Sequence, residues 1–149
     1  MNAGKAHETV NIDALVLENE RLRSNVEYLE THYRRLEAFI NGAPFAIAIK
    51  NRDRQYAVIN PALEQQFGLE TDDILWHSDF ELVGTPWGAL SHEYDDRVLR
   101  GQIVESLDTP PKACDGPRHC LVVRFPFVDA EGEALIGTVR IDVSRHLFR

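Results

Sequence analysis

The sequence predicts an α+β protein: one long amphipathic helix, then a domain of five short strands with short helices between the second and third. Three observations carry this reading. Leucine recurs every seven residues at Leu15, Leu22, Leu29 and Leu36, and no Pro or Gly interrupts 12–40. Beyond Gly42, short runs rich in Ile, Val, Phe and Tyr are separated by turn residues. Those runs come as a pair, a helical interval, and then three more.

Residues 1–11 are polar and mixed, and read as a frayed start. Over 12–41 the leucines occupy position d of a heptad, while Ile12, Asn19, Val26, Tyr33 and Ile40 occupy position a. Leucine at d with β-branched residues at a suits two parallel helices. A single a-site amide, Asn19, can bond its symmetry mate and so fix the register. Glu18 at g would face Arg23 at e of a partner, and His32 would face Glu37. A helix of this length spans about 43 Å. An amphipathic helix could instead lie on its own domain, but four heptads with Asn19 favour a homodimer whose interface is these a and d residues. Asn41-Gly42-Ala43-Pro44 ends the helix, since Gly supplies a left-handed cap and Pro cannot continue it.

The domain spans 43–144. Phe45–Lys50 and Gln55–Asn60 form a hairpin across Asn51-Arg52-Asp53-Arg54. Pro61–Phe67 is a helix with Asn60 as N-cap and Gly68 as terminator. Thr71-Asp72-Asp73 opens another, with two acids in its first turn. Residues 76–91, with Gly84, Pro86 and Gly88, read as short helical turns and loop carrying Trp76, Phe80, Leu82, Trp87 and Leu90. His92–Arg100 reads as a helix capped by Ser91 and stopped by Gly101. Gln102–Leu107, Arg118–Phe127 and Ala134–Ser144 are strands. The first two are joined through Asp108-Thr109-Pro110-Pro111 and Cys114-Asp115-Gly116-Pro117, the last two by Asp129-Ala130-Glu131-Gly132. Residues 145–149 read as the start of an output linker.

Composition excludes several function classes. With 24 acidic against 16 basic side chains the chain carries −8, which argues against a general nucleic-acid binder or an anionic-membrane binder. No apolar run approaches the roughly 20 residues of a membrane span, and the first residues lack the apolar stretch of a signal peptide. A cytoplasmic protein is expected. Cys114 and Cys120 do not make a disulfide framework, and their spacing is not a zinc spacing, so no metal is expected; they could approach across a hairpin as a reversible disulfide, but read first as one turn thiol and one packed strand thiol. Asp72-Asp73 and Asp95-Asp96 read as solvated helix acids rather than a catalytic pair. No nucleophile triad, phosphate loop or metalloprotease helix is present, so an enzyme is not expected.

Several phrases occur in a telling order: Ala43-Pro44 with Ile47 and Ile49, Asn51-Arg52-Asp53, Val58-Ile59-Asn60-Pro61-Ala62, Phe67-Gly68, Asp79-Phe80-Glu81-Leu82, Phe125-Pro126 with Asp129 and Gly132, and Gly137 to Asp142-Val143-Ser144. Together they resemble the PAS domain family over about 43–144. The resemblance implies a five-stranded antiparallel sheet of order 2-1-5-4-3, with short helices on one face enclosing a pocket. Two departures are visible. Trp76-His77 stand where many members have Gly-Lys, and Val143-Ser144 replace the terminal Ile-Thr.

The resemblance implies a pocket that holds haem, flavin, a small metabolite or nothing. Residues 61–101 contain no Cys, which argues against a flavin photoadduct. Haem would need a histidine directed into the pocket; His92 and, upstream, His77 are the candidates, but His92 between Ser91 and Glu93 at a helix start reads as exposed, which argues against haem. No cofactor is required. The expected pocket is apolar, lined by Ile47, Ile49, Val58, Leu63, Phe67, Ile74, Phe80, Leu82, Trp87, Leu99, Val123, Phe125 and Thr138, residues that plain core packing would equally bury. Leu121-Val122-Val123 is apolar on both strand faces, so the far face of the sheet is expected to be covered, by the N-terminal helix or by a second copy. The reading is a dimeric sensory or interaction module of a bacterial-type signalling protein. It would respond to a small ligand or partner and pass the change through the coil or through Asp142, Val143 and Ser144 to an output domain or partner protein. The alternatives are a dimerisation module that binds no ligand and, behind it, a haem- or redox-dependent sensor.

Overall fold

The computed structural model describes residues 3–109 and 119–147. Two units are distinguishable, 1–39 and 40–149. In the first, α1 (Ala3–Gly42) starts ahead of Ile12, so the polar opening residues from Ala3 onward are helical rather than frayed; Ala, Glu and Lys there are compatible with a helix. Forty residues at 1.5 Å each make it about 60 Å long. Along it Ile12, Leu15, Leu22, Val26, Leu29, Tyr33 and Leu36 are all more than half exposed. Glu18 pairs with Arg21 on the same helix.

The second unit holds β1 (Ala46–Lys50), β2 (Tyr56–Ile59), α2 (Pro61–Phe67), α3 (Thr71–Ile74), α4 (Asp79–Val83), α5 (Trp87–Leu99), β3 (Val104–Asp108), β4 (Cys120–Val128), β5 (Ala134–Asp142) and α6 (Ser144–Leu147). The sheet is antiparallel in the order β2-β1-β5-β4-β3, the order the resemblance implies. The expected connection between the third and fourth strands lies from Pro110 outside the described residues, and Cys114 with it.

Local chemistry explains the short helices. Asn60 Oδ1 accepts the Leu63 amide, Pro61 sits at the first turn, and Gly68 closes α2 at φ +66°. Ser78 and Glu81 form a capping box on α4, a short helical turn of the kind expected within 76–91. α5 begins at Trp87 rather than His92. Ser91 is therefore inside the helix and buried, not its cap. Gly88 is tolerated there because a Cβ would meet the Phe80 Cα at 2.6 Å; its absence lets α4 and α5 pack closely.

Strand alternation divides the sheet into two faces. Ala46, Ala48, Val122, Ile136 and Thr138 are buried on the helix side. One apolar cluster joins Ala46, Ala48, Tyr56, Leu63, Phe67, Ile74 and Trp87. A second joins Val98, Val104 and Ile136.

Candidate functional site

The helix-side face of the sheet is charged as well as apolar. Lys50 ends β1, Arg124 lies in β4, Arg140 lies in β5, and each is at most 1% exposed. Strand pairing brings Arg124 opposite Thr138 and Arg140 opposite both Ala46 and Val122, all on one face. The helices and β3 supply the counter-charges. Lys50 Nζ donates to Asp79 on α4 at 2.5 Å and to Asp95 on α5 at 2.8 Å. Arg124 Nε lies 3.6 Å from Asp95, and its Nη2 lies 3.1 Å from Asp108 at the end of β3. Arg140 Nη1 lies 3.6 Å from the same Asp108. Three cations thus alternate with three carboxylates in a buried layer that is neutral as a whole.

Asp79 accepts three side-chain hydrogen bonds. Besides Lys50 it accepts from Tyr56 Oη at 2.6 Å and from the Ser91 hydroxyl. Burial by itself would raise its pKa, but the Lys50 charge and the bonds from Lys50, Ser91 and Tyr56 outweigh it and hold the carboxyl well below the usual range. Tyr56 moves the other way: burial, reinforced by the Asp79 charge, pushes its phenol well above 10. At neutral pH the carboxylate keeps its charge and the phenol its proton, so the pair serves as a fixed clamp between helix and sheet. The arginines also rest on rings, Arg124 5.0 Å from Tyr94 and Arg140 5.5 and 5.3 Å from Phe67 and Trp87. Among the described residues no group of three His, Cys, Asp or Glu side chains is placed to hold a metal ion.

This placement corrects several expectations. Asp95 is not a solvated helix acid but a fully buried ion-pair partner, and Asp96 pairs with Arg54. Asp108 closes a strand and faces inward rather than opening a loop. Of the expected pocket residues, Leu63, Phe67, Ile74, Trp87 and Thr138 are buried on the helix side, with Leu82 and Leu99 half-buried against the same clusters. Among the described residues the Thr138 hydroxyl has no hydrogen-bond partner. Ile47, Ile49, Val58, Val123 and Phe125 lie on the opposite face, one residue out of phase with Ala48, Lys50 and Arg124. Phe80 is 49% exposed on α4.

That opposite face is apolar. Ile47, Ile49, Phe125, Phe127, Gly137 and Val139 line a shallow depression of about 210 Å³. The Phe125 ring lies over Gly137, where a Cβ would come within 2.4 Å of Phe125 Cζ.

Two polar devices mark the ends of the domain. Asn60 is fully buried, and its Oδ1 accepts from the amides of Ile47 and Leu63 while its Nδ2 donates to the carbonyls of Ile40 and Phe45. At the far end, Asp142 Oδ1 accepts the Ser144 amide, and Ser144 Oγ accepts the His119 amide at 3.1 Å. The Val143 amide donates to the His119 carbonyl. The expected exit motif therefore closes onto the residue before β4. Cys120 beside it is buried, which pushes its thiol pKa up.

No curated protein matches the chain. Solved structures do. A PAS domain of an HTR-like protein from Haloarcula marismortui is 20% identical, with a TM-score of 0.63 over 80% of this chain and 98% of that one. A domain of a sensory box sensor histidine kinase/response regulator from Geobacter sulfurreducens is 20% identical, with a TM-score of 0.55 over 78% and 96%. VqmA of Vibrio cholera, in a complex with ligand and DNA, is 22% identical, with a TM-score of 0.60 over 72% of this chain and 50% of that one. The family model described as PAS fold matches residues 40–145. With the strand order and the element sequence, that match shows that the chain belongs to the PAS fold family.

Proposed function

We propose that the chain is a dimeric sensory or interaction module of a signalling protein, in which α1 pairs with its copy and the PAS domain responds to a small ligand or partner. The observation that carries this reading is the heptad seam of α1, whose a and d side chains from Ile12 to Leu36 stand exposed in a single chain. Apolar side chains at a and d are stabilised only when a partner helix covers them, and Asn19 favours a parallel pair. The apolar outer face of the sheet supports a second contact between copies. The change would leave through α1 or through Asp142, Val143 and Ser144. The similarity to a sensor histidine kinase domain and to a ligand-bound DNA-binding protein supports a signalling role for this fold, not a particular ligand or output.

One observation favours the ligand-free variant of this reading. The helix-side layer is filled by the protein's own charged side chains, each of the six no more than 6% exposed. A bulky cofactor would have to displace them. Among the described residues no helix is long and apolar enough to cross a membrane.

Native mass spectrometry of the full chain, purified without added ligand, tests both. A dimer with added mass supports ligand sensing, and a bare dimer supports the interaction module. A bare monomer at micromolar concentration overturns the pairing of α1.

A further inference from the structure

We propose that the groove between α4, the first turns of α5 and the β1–β2 turn docks a basic amphipathic segment of a partner protein that also reaches Trp76, two residues before the groove's Ser78. Trp76 occupies the position at which the family resemblance expects glycine. Its φ is +65°, in the left-handed region where glycine is free and a tryptophan is strained. The backbone around it is fixed: the Trp76 amide donates to the Tyr56 carbonyl at 2.8 Å, and the Tyr56 amide to the His77 carbonyl at 3.0 Å. Packing within the domain does not repay that strain, because the residue is 60% exposed. An indole presented to solvent from a rigid, unfavourable backbone is suited to contact with another molecule.

Two residues on, Ser78 joins Asp53, Phe80, Glu81, Ala89 and His92 in lining a groove of about 490 Å³. Phe80 is 49% exposed, which adds a large apolar group to the groove. Charge selects the occupant. Asp53 and Glu81 are exposed at the groove, its lining contains no Lys or Arg, and Arg54 is taken by Asp96. Asp72 and Asp73, also exposed, precede Trp76 on α3. Phosphates of a nucleic acid or a membrane would be repelled here. A helix or strand bearing Lys or Arg among apolar residues would lay its aliphatic stems on Phe80 and Trp76 and place its charges beside the rings and carboxylates.

The test uses the full chain, isotopically labelled and titrated with a short amphipathic peptide of leucine and lysine, and separately with its leucine–glutamate counterpart. The lysine peptide should shift the Trp76 indole signal and the amides of 78–92, and the glutamate peptide should leave them in place. Trp76→Gly should weaken binding at least about tenfold, and so should Phe80→Ser. Trp76→Gly should melt no lower than the parent, because glycine relieves the left-handed strain. A lysine peptide that binds W76G as well as the parent, or that shifts mainly α1, overturns the proposal. A W76G variant that melts well below the parent also overturns it, by making Trp76 a packing residue. Concentration-dependent shifts at 78–92 without peptide would assign the groove to a second copy and overturn it too.

Discussion

Lys50 sits between two carboxylates that have no other full positive charge as close. Replacing a buried ion pair as a whole with apolar residues is often tolerated, but removing one member strands the other. Lys50→Met should therefore destabilise the domain by about 3–5 kcal/mol, because Asp79 and Asp95 would stay buried without their cation. Urea denaturation measures this, and a loss under about 1 kcal/mol would mean that Arg124 or solvent compensates. The same residue shows why part of the site was illegible. Ile47 and Ile49 are the most apolar residues of β1, and burying them against the helices is the default choice, while in β4 Val122 and Val123 are chemically alike and Phe125 is the bulkier neighbour of Arg124. The strand phase is instead set by Ala46, Ala48, Val122 and Ile136, which share their face with Lys50, Arg124 and Arg140. A charged residue at an alternate position of three strands was the available signal. Its interpretation needed Asp79, Asp95 and Asp108, which lie far apart in sequence and meet only through the fold. Leu63, Phe67 and Ile74 were legible because predicted helices and bulk agree about them, and Trp87 on bulk alone.

At the scale of elements, α4 and α5 meet where Gly88 faces the Phe80 backbone. Gly88→Ala places a Cβ 2.6 Å from a main-chain carbon, which no side-chain rotation relieves. The two helices must part, at a cost of about 1–3 kcal/mol. A thermal melt checks the loss, and an unchanged midpoint would show that α4 moves freely. The contrasting site is Gly137, where the added carbon would meet only the tip of Phe125, a ring already 37% exposed and able to swing aside. Gly137→Ala should cost under about 1 kcal/mol. Elements bounded by their own local chemistry were readable, as with Asn60, Pro61 and Gly68 around α2. The start of α5 was not, since Pro86 and Gly88 look like breakers until the neighbouring backbone explains them.

For the whole molecule, the charged layer sets a pH window. Asp79 has a folded pKa below its unfolded value, so at intermediate pH the unfolded chain binds more protons and stability rises with pH. That contribution is complete above the unfolded carboxylate value, roughly 4, and is lost as pH falls below it. Tyr56 has the opposite sign: its raised pKa adds stability below about 10 that is lost as pH rises further. Unfolding midpoints in urea should form a plateau that falls at both ends. Tyr56→Phe should flatten the alkaline fall and leave most of the acid one, and an unchanged alkaline limb would assign that fall elsewhere. The buried amide of Asn60 adds a mechanical consequence. Its two donors and one oxygen serve four backbone groups from the last turn of α1, the approach to β1, β1 itself and α2. Such a joint couples these groups: turning the Ile40 carbonyl out of reach would leave an Asn60 N–H unpaired in the interior unless the starts of β1 and α2 moved with it.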